Sequence, residues 1–334
     1  MTAFSVSVSL VPVLLFLGAL LLMDSYRLVG RRAVLQAIAA GCAAAGLAML
    51  GNRAVLEGLR LDPLLLRRYA GPLLEETLKA LYVVYLVRAH RVGFMVDAGI
   101  QGFAVGTGFA LVENLYYATA VAEHDPWLWI VRGLGTAIMH GSATAIVAVL
   151  SKDLTDRRDS RAPRYFLPGL ALAVGVHSFF NHLVLNPLVN TALLLLVMPL
   201  LLVVVYERSE RATSAWLGAG MDTDVEMLEL ILSEGVAGSR VGHYLDSLRA
   251  RFPGEVVADM LCLLRIHLEL ALHAKGVLIA RASGIRLPIE DAVRANFAEL
   301  RYLERSIGPT GKLAMLPFLR TSTRDLWQLT MLEG

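Results

Sequence analysis

Apolar runs of about 20 residues recur along the first part of this chain, and a helix of about that length is what crosses the hydrocarbon core of a bilayer. With no water there to satisfy free backbone groups, such runs fold as helices rather than as open strands or loops. The criterion gives about seven candidate spans, near 3–23, 33–51, 71–88, 95–120, 128–150, 165–186 and 188–206. The last two could instead be a broken hairpin around Asn186-Pro187. Of the 334 residues, 56% are hydrophobic and 18% charged, too apolar a balance for an ordinary soluble domain. The expected fold is all-α: a polytopic membrane helix bundle followed by a soluble helical region. No basic residue precedes the first run, so a retained span is expected there rather than a cleaved signal peptide. The two cysteines, Cys42 and Cys262, offer neither a disulfide framework nor a zinc-type spacing.

Short loops rich in Lys and Arg face the cytoplasm. Arg27, Arg31 and Arg32 follow the first span, Arg88 and Arg91 the third, Lys152, Arg157, Arg158, Arg161 and Arg164 the fifth, and Arg208 and Arg211 the seventh. The opposite side includes Glu123-His124-Asp125. The N-terminus is then outside and the C-terminal region cytoplasmic. Segment 52–70 falls on the outer side despite Arg53, Arg60, Arg67 and Arg68, and reads as a helix in the interface with snorkelling basic side chains. From Glu207 onward charge rises and helical periodicity replaces long apolar runs, as in Met260, Leu261, Leu264, Leu268 and Leu272. Residues 1–206 are therefore expected to form a membrane domain and 207–334 a cytoplasmic helical domain. Asp222 or Thr223, with Glu226, could cap the first helix of the latter. His243, His267 and His273 are scattered there and read as surface or core residues. A net charge of +2, with the basic residues clustered at span ends, gives no reason to expect nucleic acid.

Ionisable residues inside a bilayer are expensive and mark function by default. Glu75, Glu76 and Lys79 lie in the third expected span, Glu113 and Asn114 in the fourth, His140 in the fifth, and His177 and Asn181 in the sixth. They fall at similar depths, in the outer half or at mid-membrane, as parts of one site would. Residues four apart share a helix face, which groups Glu75 with Lys79, Phe109 with Glu113, and His177 with Asn181. The blander alternative is a set of buried pairs that only fix packing, such as Glu75 with Lys79. Gly102 and Gly106 form a small-xxx-small face suited to close helix packing. Tyr116, Tyr117, Trp127 and Trp129 read as interfacial anchors.

The motifs Glu75-Glu76-x-x-Lys79, Phe109-x-x-x-Glu113-Asn114, His140 and His177-x-x-x-Asn181 occur in the order that characterises the PrsW family. Over residues 70–185 the chain resembles these intramembrane proteases, relatives of the CAAX prenyl-protein endopeptidases. The resemblance implies an endopeptidase in which Glu75 deprotonates water, beside Glu76, while His177 and Asn181 polarise the scissile carbonyl. His140 would orient a carboxylate or the water, and Lys79, Phe109 and Asn114 would support the site. Where the prenyl-protein peptidases end the second motif in His, this chain has Glu113. No cofactor is required by this reading. Zinc stays open, with Glu113, His140 and His177 as its ligands, since two His and a Glu form a catalytic zinc set. No HExxH motif is present. The implied partners are the lipid bilayer and a single-span membrane protein, such as an anti-sigma factor, cut near its extracytoplasmic side. Intramembrane Glu and His chains also serve proton-coupled transporters, but these carry symmetric halves that are not found here. A non-catalytic membrane receptor or scaffold is the third reading.

Overall fold

A computed structural model of the chain describes residues 3–120, 126–182, 184–285, 287–288, 291–319 and 322–333. Among them all regular structure is helical, as expected. Two compact units divide them, Met1–Glu210 and Arg211–Gly334.

The first unit contains α1 (Ala3–Met23), α2 (Arg31–Gly58), α3 (Pro63–Leu65), α4 (Gly71–Arg88), α5 (Met95–Ala120), α6 (Pro126–Ile130), α7 (Ala137–Arg158), α8 (Leu167–His182) and the start of α9 (Pro187–Leu232). A π-helical turn, Leu66–Ala70, joins α3 to α4, and a second, Val131–Thr136, joins α6 to α7. Four helices are long and apolar enough to cross a membrane among the described residues: Arg31–Gly58, Met95–Thr119, Val131–Arg158 and Pro187–Leu232. The other three expected spans are helical but fall outside that criterion. In α1, Ser7–Met23 counts as a shorter apolar helix, α8 has 16 residues, and α4 carries Glu75, Glu76, Lys79 and Arg88. The expected outer loop at 123–125 lies outside the described residues.

Helix α5 is the axis of this unit. It packs against α7, α2 and α1, and Phe103, Ala104, Val105, Phe109 and Ala110 are buried along it. A helix apolar on all sides belongs inside. Its glycines set how closely the neighbours approach. A Cβ on Gly106 would stand 2.2 Å from the His140 carbonyl oxygen, and one on Gly41 of α2 would stand 1.9 Å from that of Val105. Such close approach maximises packing where no hydrophobic effect drives helices together. Gly106→Val is expected to push α7 and its His140 off α5, lowering activity at least about tenfold because misplacements of about 1 Å are that damaging. Cleavage rate measured beside thermal unfolding in detergent checks this, and a variant with native activity would show that the contact does not set the site.

Two local expectations change. Segment 52–70 is not one interfacial helix, because α2 runs on to Gly58 and the chain turns at Arg60, which adopts a positive φ of 47°. Asp62 then caps α3 by accepting from the Leu64 and Leu65 amides, and the π turn carries the chain into α4. Nor does a helix begin at Asp222 or Thr223. Helix α9 continues to Leu232, and the Thr223 hydroxyl donates back to the Ala219 carbonyl. Thr is tolerated inside a helix through this bond to the preceding turn.

The second unit adds α10 (Arg240–Leu248), α11 (Gly254–Ala282), α12 (Asp291–Met315) and α13 (Thr323–Glu333). Its core includes Leu245, Met260, Leu264, Leu268, Phe297 and Ile307. Gly308, at φ 66°, and Pro309 kink α12. Asp224 and Lys275 form a buried pair at 2.5 Å, with the Lys275 ammonium 4.9 Å from the centre of the Trp216 ring.

Candidate active site

The polar residues of four helices converge in the first unit. On α4, Glu76 and Lys79 are fully buried, and the Lys79 ammonium donates to Glu76 Oε1 at 2.7 Å. Lys79 is therefore the partner of Glu76, not of Glu75 as the four-residue spacing suggested. Glu75 turns instead toward α2, where Asn52 Nδ2 donates to its Oε1 at 3.0 Å. From α8, His177 places Nδ1 2.7 Å from Glu76 Oε1, and its Nε2 stands 3.8 Å from Glu75 Oε2. From α7, His140 places Nε2 2.7 Å from Glu113 Oε2, on α5, and Nδ1 3.1 Å from the Lys79 ammonium. The two imidazoles meet edge to face with centroids 4.8 Å apart. Phe109 packs beside them, with its ring centre 4.8 Å from that of His140 and 4.7 Å from the Lys79 ammonium.

Burial is uneven in a way that matters. The side chains of Glu76, Lys79, His140 and His177 are at most 3% exposed, whereas Glu75 and Glu113 are 17% and 22% exposed. The two partly open carboxylates are the exposed edge of the site, its mouth, and the ion pair is buried.

The remaining expected residues sit at the margins. Asn114 Nδ2 donates to the Ser9 carbonyl at 2.8 Å, tying α5 to α1. Asn181 Nδ2 donates to the Arg67 carbonyl at 3.0 Å, and Ser178 donates to the Arg68 carbonyl, so α8 grips the π turn that leads into α4. Two residues not singled out from the sequence belong here. Asn52 is one, and Arg132, with Nη2 3.3 Å from Glu113 Oε1, is the other. Tyr117, read above as an anchor, lies under that guanidinium at 3.7 Å.

Glu75, His140 and His177 each offer a metal-ligand atom, all within 4.8 Å of one another. The carboxylate of this group is Glu75, where the sequence suggested Glu113. Glu113 is instead engaged by His140 Nε2 and Arg132. Two imidazoles and a carboxylate fit zinc in kind. His177 suits the role, because Glu76 fixes its Nδ1 and leaves Nε2 facing the gap. His140 would have to release Lys79 or Glu113 first.

Inside the apolar helix bundle a buried ion pair, two imidazoles and two partly open carboxylates come together, groups of the kind that can activate water. A family model described as PrsW family intramembrane metalloprotease matches residues 29–206, more than half of the chain, and the chain belongs to that family. Comparison with curated proteins and with solved structures gave no match. The protein is thus an intramembrane peptidase, which implies a membrane protein as substrate.

Proposed function

We propose that this enzyme cuts its substrate with a water molecule activated by Glu75. The observation that carries this reading is the 3.8 Å gap between Glu75 Oε2 and His177 Nε2. Polar groups this far apart invite a bridging water. Glu75 takes a proton from that water as its oxygen adds to the scissile carbonyl carbon. The same proton passes to the amide nitrogen as the C–N bond breaks, leaving a new carboxyl and a new amine. Glu76 holds His177 by its Nδ1, and Lys79 balances the charge of Glu76. His140 holds Glu113 at the mouth. Asn181, with its amide on the Arg67 carbonyl, supports the segment that presents Glu75.

If zinc is bound, Glu75, His140 and His177 would hold it, and it would supply a Lewis acid and a more acidic water. The glutamate reading predicts that cleavage by the purified protein persists in excess 1,10-phenanthroline. Loss of activity that zinc alone restores would transfer these three residues to the metal.

By the charge of its loops, the N-terminus lies outside and residues 207–334 are cytoplasmic. The site then sits toward the outer half, which suits cleavage of a single-span protein such as an anti-sigma factor near its extracytoplasmic side. The test compares new N-termini in cells carrying the native chain or Glu75→Gln at matched expression. A neo-N-terminus just outside a single span, present only with the native chain, is the expected result. Identical profiles under several envelope stresses would overturn the reading.

A further inference from the structure

Hydrolysis of an amide builds negative charge on the carbonyl oxygen, and donors already aimed at that charge supply much of the rate. The polar groups of the site are mostly taken. Asn181 donates to Arg67, His177 Nδ1 is held by Glu76, and the Lys79 ammonium is spent on Glu76 and His140.

Arg132 differs. Its Nε and Nη2 are buried and make no hydrogen bond, and Nη2 only approaches Glu113 Oε1 at 3.3 Å. Buried guanidinium donors without partners are rare enough to call for an explanation. The side chain is 11% exposed and lies beside Glu113, one of the two groups that open the mouth. Its position is fixed from two sides. The guanidinium carbon rests 3.7 Å over the Tyr117 ring, a stacking that holds the plane of the fork. The π turn that carries it is pressed on α1, since a Cβ on the next residue, Gly133, would stand 2.0 Å from the Val8 carbonyl oxygen. An arginine so placed is a permanent cation, held from two sides, with unfilled donors beside Glu113.

Resting on the protease reading above, we infer that Arg132 is a catalytic residue that binds the scissile carbonyl oxygen and takes its charge in the tetrahedral intermediate. As the water oxygen bonds to carbon and its proton goes to Glu75, the C=O electron pair moves to that oxygen, and the Arg132 N–H groups donate to it. The pair returns when the C–N bond breaks and Glu75 gives its proton to the amine. Glu113 keeps the guanidinium from standing as a lone charge between turnovers.

The experiment uses the full chain in detergent or nanodiscs, with the membrane protein found by the N-terminal profiling as substrate. Native, Glu75→Gln, Arg132→Gln, Arg132→Lys, Glu113→Gln and the double variant are run together. Arg132→Gln is expected to lower kcat about 10²- to 10³-fold, the usual loss for one such donor. KM should stay within about threefold and the unfolding midpoint near native, because the contact is weak to the neutral carbonyl and strong once charge develops. Arg132→Lys should keep part of the rate, and it decides the matter if the glutamine variant does not accumulate. If Arg132 acted only by holding Glu113, the double variant would lose no more than Glu113→Gln, and that result would overturn the assignment. So would an Arg132→Gln enzyme with native kcat. A native chain no faster than Glu75→Gln would overturn the protease reading and this assignment together.

Discussion

Replacing Glu75 with Gln is expected to lower the cleavage rate by about 10³-fold or more while leaving the fold intact. A positioned general base contributes about 10²- to 10⁴-fold, and here the same carboxylate takes the water proton and returns it to the amine. Glutamine keeps the shape and can still accept from Asn52 Nδ2, the bond that orients Glu75 from α2. It cannot take a proton from water. Stability should hardly change, because Glu75 lies at the mouth, 17% exposed, and its charge is not the one that balances Lys79. Single-turnover cleavage with unfolding measured in parallel separates the two effects. A Glu75→Gln enzyme with more than about a tenth of native activity would move the base elsewhere, with Glu113 the next candidate at the mouth.

The sequence made the helices and the polar residues legible for the same physical reason. A bilayer demands long apolar runs and penalises each charge within them, so Glu75, Glu76, Glu113, His140 and His177 stood out against their background and proved to meet in space. Arg132 obeys the same rule, lying inside the 128–150 run, but so near the end of a span an arginine reads equally well as a residue that sets orientation. Asn52 carries no charge and opened a segment that looked interfacial, so nothing distinguished it until α2 proved to extend to Gly58. The pairing within α4 was not readable either. Spacings of three and four both place side chains on one helix face, and the choice of Glu76 over Glu75 depends on which neighbours approach. His177 arrives at Glu76, and Asn52 arrives at Glu75. The continuity of α9 past residue 207 was hidden because charge content marks where a chain meets water, not where a helix ends.

Lys79→Met is expected to do the opposite of Glu75→Gln, destabilising the protein by about 3–5 kcal/mol, the usual penalty for removing one partner of a buried pair. Lys79 and Glu76 are both fully buried, so no water replaces the lost ammonium. Glu76 would keep His177 on Oε1, while its Oε2 is already buried without a partner. The carboxylate left behind accounts for the loss, so removing it as well should restore stability. Lys79→Met combined with Glu76→Gln is expected to recover most of the difference, because a neutral amide can still accept from His177 and no unpaired charge remains. Equilibrium unfolding in mixed micelles would measure both variants. A single variant that loses less than about 1 kcal/mol would mean that Glu76 is not held as a charge that needs Lys79. Recovery of stability without recovery of cleavage would separate the two roles of the lysine. Besides balancing Glu76 it touches His140 Nδ1 at 3.1 Å, and that contact links the buried pair to Glu113 at the mouth.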